Sequence, residues 1–236
     1  MEPVFLIDIG NTKIIAAEYI NGKIEKRQCL QTKNIKNKIF FNYKEYKKVI
    51  ISSVVPKIDE LIPKEPNIMF VSSLNIPKIH LDLPKKEQVG ADRLICALAA
   101  QEYYKGNNLI IDSGTATTFC FIDKNGTYKG GCIVPGMGIS LRALHDYTAK
   151  IPLIKLKSKD CLIGKTTEAA VQIGVTKSHI YTINGIISDF RTKFKDINII
   201  GTGNGIQDIQ DKIDIDYFDN DLILKGLKLI ADLKTF

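Results

Sequence analysis

The chain has 236 residues, of which 44% are hydrophobic and 25% charged, and it carries a formal net charge of +7. That length and balance fit one or two globular domains able to bury a core. No run approaches the roughly 18 consecutive apolar residues of a membrane span, so neither a span nor a membrane partner is expected. Met1-Glu2-Pro3 leads straight into an apolar strand, so a secretory signal is not expected either.

The five cysteines, Cys29, Cys96, Cys120, Cys132 and Cys161, show no C-x-x-C spacing. They read as reduced, mostly buried thiols of a cytoplasmic protein. His80, His145 and His179 are isolated and form no zinc pattern. The positive charge is almost all lysine, with only four arginines: Arg27, Arg93, Arg142 and Arg191. Lysines spread through Lys23–Lys48 and Lys150–Lys159 read as a solvated surface, so no nucleic-acid partner is expected.

In chain order, Val4–Asp8 is a strand, Gly10–Lys13 a turn and Ile14–Ile20 a returning strand. Asn21-Gly22 turns the chain again into a strand over Lys23–Leu30. The lysine-rich stretch that follows predicts a helix around Asn42–Lys47. Val49–Ile51 is a short buried strand ended by Ser52-Ser53, and Pro56 opens a helix through Ile62. Asn67–Ser72 is a further strand, and His80–Gly90 reads as loop.

From Ala91 a helix runs to Tyr104, with Leu94, Ile95, Leu98 and Ala99 on its apolar face. Asp92 sits at its start, where a carboxylate caps a helix or serves as general base. Leu109–Asp112 is an apolar strand running into Ser113-Gly114-Thr115. Thr117–Ile122 returns, and Asn125-Gly126 is a hairpin signal. Four glycines and a proline in Gly130–Gly138 demand special backbone angles and allow a ligand close to the main chain. Ile139–Tyr147 is helical and Ala149–Lys157 partly extended. Thr166 or Thr167 caps one helix, and Ser178–Phe194 forms a second. Asp196–Ile200 is a strand, followed by the glycine-rich Gly201–Gly205 turn, and Leu222–Leu233 closes the chain as a helix.

The order strand, Asp-x-Gly, strand, Asn-Gly occurs twice. At an offset of 104 residues Asp8 falls on Asp112, Gly10 on Gly114, Asn21 on Asn125 and Gly22 on Gly126. Two copies imply two similar half-domains, residues 1–105 and 106–236, with acidic turns suited to a nucleotide phosphate and its metal. The Gly201–Gly205 run fails the G-x-G-x-x-G spacing and the P-loop pattern, which argues against both of those nucleotide folds.

Five motifs stand in order: D-I-G-N-T at Asp8–Thr12, S-S-V-V-P at Ser52–Pro56, G-A-D-R at Gly90–Arg93, D-S-G-T-A-T-T at Asp112–Thr118 and G-G-C-I-V-P-G at Gly130–Gly136. Together they resemble type III pantothenate kinase from Val4 to about Gly205. The resemblance implies an α/β fold of the actin-like ATPase (ribonuclease H-like) superfamily, with two duplicated half-domains each holding a mixed sheet flanked by helices. It also implies a homodimer that phosphorylates pantothenate with ATP, the first step towards coenzyme A.

By matching position the resemblance places the ATP phosphates on Asp8, Ile9, Gly10, Asn11, Thr12, Lys13, Ile14 and Ile15, with Thr115 also meeting the nucleotide. Asp8 would lie near Mg2+, and Asp112 would hold a monovalent cation, K+ or NH4+. Gly90, Ala91, Asp92 and Arg93 would contact pantothenate, with Asp92 as proton acceptor. Thr167 would reach pantothenate across the dimer, and Gly201–Gly205 would lie by the adenosine.

The chain departs from the family pattern before Gly90. Leu81-Asp82-Leu83-Pro84 and extra residues stand where a substrate-contacting tyrosine and an Asn-Pro are usual, and Thr166 stands where asparagine is common. Phosphoryl transfer asks for alignment and charge neutralisation, assigned here to Mg2+, the Asp8 turn and Lys13, with Arg93 on the pantothenate carboxylate. Two other readings share the composition: a kinase of another hydroxylated acid or sugar on the same fold, and a basic DNA-binding regulator without catalysis.

Overall fold

The computed structural model describes residues 3–36, 41–74, 76–157 and 161–233; Met1, Glu2, Lys38 and Lys159 of the stretches above lie outside them. The strands are β1 (Val4–Ile9), β2 (Lys13–Ile20), β3 (Lys23–Gln31), β4 (Lys48–Ser53), β5 (Ile68–Phe70), β6 (His80–Leu81), β7 (Asn107–Ser113), β8 (Ala116–Ile122), β9 (Thr127–Pro135), β10 (Ile197–Thr202) and β11 (Tyr217–Phe218). The helices are α1 (Pro56–Asp59), α2 (Ala91–Tyr103), α3 (Met137–Asp146), α4 (Thr167–Lys193), α5 (Asn204–Gln207) and α6 (Leu222–Leu233). The chain forms two compact units. One comprises Met1–Lys105, Ile122–Gly130 and Asp221–Phe236; the other comprises Gly106–Phe121 and Gly131–Asn220.

The first unit holds a sheet of order β3-β2-β1-β4-β5, with β1 antiparallel to β2 and parallel to β4. Both faces of β1 are covered, which is why its sequence is a continuous apolar run. Phe5, Ile7 and Ile9 point into a cluster with Ile14, Val49, Ile51, Ile58 and Ile62. Leu6, Ala17 and Ile50 point the other way, against Ile95, Leu98, Leu224 and Leu227 of α2 and α6.

The helix expected at Asn42–Lys47 is only a 3-10 turn over Tyr43–Glu45. Tyr46 leaves that turn to stack on Phe5, with ring centroids 4.6 Å apart, and its hydroxyl donates to Glu18 Oε1 at 3.1 Å. Burial pushes the Tyr46 phenol up to about 12. The side chain of Asn67 donates to the carbonyls of Tyr43 and Tyr46, fixing the extended backbone that a helix would have consumed. The helix at Pro56 ends at Asp59 rather than Ile62, and the Asn67–Ser72 strand shortens to Ile68–Phe70.

The second sheet has six strands in the order β6-β9-β8-β7-β10-β11, with β10 parallel to both β7 and β11. Leu109 and Ile111 of β7 pack with Phe119, Phe121, Ile180, Ile183 and Ile187 beneath α4. The two helices expected between Glu168 and Phe194 are one helix of 27 residues. Gly174 and Gly185 sit on it with open space beside them, so neither marks a break. The glycine-rich stretch Gly130–Gly138 is β9 as far as Pro135. A Cβ on Gly131 would strike the Phe119 carbonyl, so that glycine serves contact between chain segments rather than with a ligand.

Five strands of the second sheet repeat the topology of the first: β3-β2-β1-β4-β5 matches β9-β8-β7-β10-β11, and β6 is added beside β9. The turns differ. In the first copy the Gly10 N–H donates to Lys13 O, whereas in the second the Gly114 N–H donates to Ala116 O, one residue sooner. The second hairpin returns that residue. Asn21 (φ 50°) and Gly22 (φ 85°) make a two-residue turn. Asp123 instead pairs with Thr127 around a three-residue loop in which only Gly126 has positive φ. The offset of 104 is thereby restored at β9.

Where α2 crosses α6, a Cβ on Gly226 would strike the Ile95 carbonyl and side chain. Gly226→Ala gains about 1 kcal/mol of helix propensity but costs about 1–3 kcal/mol of overpacking. Chemical denaturation is expected to show a net loss of stability for this variant.

Candidate active site

Asp8 lies near the end of β1, half-buried, opposite Ile15 on β2 and Ser52 on β4. The strands run on past their expected ends: β1 continues to Ile9, and β4 includes Ser52 and Ser53. The turn beyond is braced from behind. Thr32 Oγ1 donates to Gly10 O at 2.7 Å, and Thr32 N donates to Thr12 O at 3.0 Å. The Gly10 amide closes the turn instead of facing outward, so the parts of the turn that reach solvent are the exposed Asn11 and Thr12, beside half-buried Lys13. Ile9 and Ile14 are fully buried and can meet a ligand only through their backbone. Ile15 packs at the edge of the core beneath α2 and α6. The Ser52 hydroxyl is buried without a hydrogen-bond partner, on the rung beside Asp8.

Gly90 is the N-cap of α2, and Asp92 is the second residue of the helix. Asp92 Oδ1 accepts the Arg93 N–H at 2.8 Å. Asp92 thus meets one N–H of the first turn from within the helix, with one of its two carboxylate oxygens, while the N-cap position itself carries no side-chain cap. A Cβ on Gly90 would strike Asp92 Oδ1, so the glycine leaves the space in which this carboxylate sits. The guanidinium of Arg93 lies over the ring of Tyr128, 5.9 Å from its centroid.

The segment before Gly90, expected as loop, contains the edge strand β6. Its His80 and Leu81 pair with Thr127 and Tyr128, and Asp82 N donates to Tyr128 O at 3.1 Å. Lys129 Nζ donates to Asp82 Oδ2 at 2.9 Å, which holds the Asp82 carboxyl below its ordinary range. The added residues thus carry their own anchor to β9.

In the second unit Asp112 sits on β7 opposite Thr202 of β10, again half-buried. Thr115 is exposed at the turn, and its carbonyl accepts the Gly136 N–H at 3.2 Å. Gly201 and Thr202 finish β10 rather than forming a turn. Gly203, at φ 84°, then brings the chain so close that a Cβ would lie 2.6 Å from Asp112 Oδ1. The glycine run and the acid are therefore one structure, a link the sequence did not show.

Ser113 Oγ lies 2.8 Å from Thr117 Oγ1 and 3.1 Å from His179 Nε2 of α4, in a buried network. His179 also borders a groove of about 870 Å³ between α3 and α4, walled by Pro135, Leu144, Tyr147, Val171 and Val175. Thr166 is the N-cap of α4, accepting the Ala169 N–H at 3.1 Å, and exposed Thr167 is the first helical residue. His145 Nδ1–H donates to Ile151 O at 2.9 Å. Among the described residues no three His, Cys, Asp or Glu cluster as a metal site. The expectation of mostly buried thiols is corrected: Cys29, Cys132 and Cys161 are exposed, Cys29 on the edge strand β3, Cys132 on the part of β9 beyond its pairing with β6, and Cys161 outside any helix or strand.

Sequence reasoning missed Tyr128 and the Ser113–Thr117–His179 network. Periodicity predicts which face of a strand or helix they occupy, not what lies opposite. Burial lowers the His179 imidazole below its ordinary 6.5. Its contribution to stability is therefore intact above about 6.5 and lost as pH falls through the folded value. Denaturation midpoints measured from about pH 7.5 to 5 are expected to fall more steeply in the wild type than in His179→Gln.

The type III pantothenate kinase family model matches residues 4–189. A type III pantothenate kinase of an Exiguobacterium species is 32% identical, covering 97% of this chain and 98% of its own. The fold is similar to that of a Campylobacter jejuni protein assigned to the Baf family of transcriptional activators, at 22% identity, 97% coverage of both chains and TM-score 0.62. It is also similar to that of an archaeal actin homolog, at 10% identity, coverage of 98% and 100%, and TM-score 0.54. The fold is thus of the actin-like ATPase class, and the chain belongs to the type III pantothenate kinase family.

Proposed function

We propose that the chain transfers the γ-phosphate of ATP to the primary hydroxyl of pantothenate, the first step of coenzyme A biosynthesis, in the cytoplasm and as a homodimer. Its family membership makes it a kinase of this class. The observation that carries the site assignment is Asp92, fixed at the start of a buried helix by the Arg93 amide, with Gly90 leaving room for its carboxylate. A carboxylate so held can take the proton of an attacking alcohol. Gly90 and Ala91 present backbone to the same substrate, Arg93 meets the pantothenate carboxylate as a fixed cation, and Thr167 contacts pantothenate bound to the other subunit.

Asp8, Asn11, Thr12 and Lys13 are assigned to the ATP phosphates, with Thr115 as a further nucleotide contact. Mg2+ fits beside Asp8, where the buried, unpartnered Ser52 hydroxyl adds a second oxygen on the adjoining rung. When bound with ATP, the ion supplies charge neutralisation at the phosphate oxygens. Asp112 is assigned to the monovalent cation, K+ or NH4+. Its half-buried carboxylate beside Gly203 fits a weakly hydrated monovalent ion. Neither nucleic acid nor membrane is a partner in this reading; among the described residues no helix is long and apolar enough to cross a membrane.

A second reading, a kinase for a different hydroxylated acid or sugar, draws on one observation: the β6 segment stands where the family's tyrosine is usual. Coupled assays with pantothenate against a panel of such acceptors separate the two.

Asp92→Asn is expected to lower kcat by roughly 10²–10⁴-fold with an unchanged fold by circular dichroism, and near-normal turnover would remove the base assignment. Activity is expected to depend on K+ or NH4+ and to drop in sodium-only buffer. Equal rates in the two buffers would remove the role of Asp112.

A further inference from the structure

Tyr128 holds two parts of the substrate loop at once. Its side chain is completely buried, yet its ring lies under the Arg93 guanidinium at 5.9 Å. Its backbone pairs with Leu81 and accepts the Asp82 N–H, so it also anchors β6, which leads into Gly90–Arg93. Its neighbours repeat the pattern: Lys129 binds Asp82, and Leu83 lies against Gly130, where a Cβ would be 3.3 Å away. Three consecutive residues of β9 therefore clamp the segment that carries the departure from the family pattern.

We propose that Tyr128 is a positioning residue for pantothenate binding: its ring face fixes the direction of the Arg93 guanidinium, and its backbone fixes the strand beside it. This rests on the reading of Arg93 as the group that meets the pantothenate carboxylate. A guanidinium on a flexible stem loses rotamer entropy when it binds an anion. One already laid on an aromatic face has lost part of it beforehand. The cation-π attraction depends on the electron density of the ring, not on the phenol hydroxyl. Tyr128→Phe therefore keeps the ring's hold on Arg93 and is the reference for the series, whereas withdrawing electrons from the ring weakens that hold.

The test replaces Tyr128 with phenylalanine, 4-fluorophenylalanine and 3,4,5-trifluorophenylalanine, a series that hardly changes volume and so preserves the fold. The KM for pantothenate is expected to rise with each step, by roughly threefold to fivefold across the series. The kcat and the KM for ATP should stay within about twofold. Arg93→Met is measured alongside and should raise the pantothenate KM; in that background the fluorine series should be flat. A flat series in the wild-type background overturns the role of Tyr128 while leaving Arg93 in place. A series in which kcat and both KM values move together assigns Tyr128 to structure alone and also overturns it. Arg93→Met with an unchanged pantothenate KM removes the reading of Arg93 and the proposal with it.

Discussion

The structure depends on a constraint at the ends of two buried strands. β1 and β7 are covered on both faces, and a carboxylate inside either would be buried without compensation. Each strand therefore carries its acid only where it leaves the core, at Asp8 and Asp112. Both acids are half-buried, and each faces a hydroxyl residue on the neighbouring parallel strand, Ser52 or Thr202. Charge and hydrogen-bonding capacity collect at the carboxyl ends of the strands, which is where open α/β sheets bind ligands.

Glycine turns that placement into geometry. Gly90 makes room for Asp92, Gly203 brings a turn onto Asp112, and Gly131 lets β9 reach the Phe119 carbonyl. These are close approaches between parts of the same chain. The glycine-rich stretches that looked in sequence like ligand-binding loops are in large part strand and packing contact. Gly90 and Gly203 thereby bound the space in which the Asp92 and Asp112 carboxylates sit.

The duplication is deeper than its sequence trace. The offset of 104 residues registers the acids and the Asn-Gly signals, but it breaks inside the unit. The second acidic turn is one residue tighter and the second hairpin one residue longer. β4 and β10 occupy the same place in their sheets although nothing in the sequence aligns them at that spacing. The helix α4 that precedes β10 has no counterpart among the described residues before β4, so the two connections share only their end points.

Local chemistry decided what the sequence made legible. Apolar alternation, the Asp-x-Gly turns, Asn21-Gly22 and the start of α2 at Ala91 all follow from interactions within a few residues. So do the motifs that carry the family. Residues far apart in the chain settled the rest. Tyr46 left a would-be helix to stack on Phe5, His80 and Leu81 became a strand by pairing with Thr127 and Tyr128, and Arg93 came to rest on Tyr128. A strand edge or a ring face is satisfied only by a partner that the fold brings to it. For that reason sequence named the charged residues proposed for the site, and tertiary structure alone showed what packs against them.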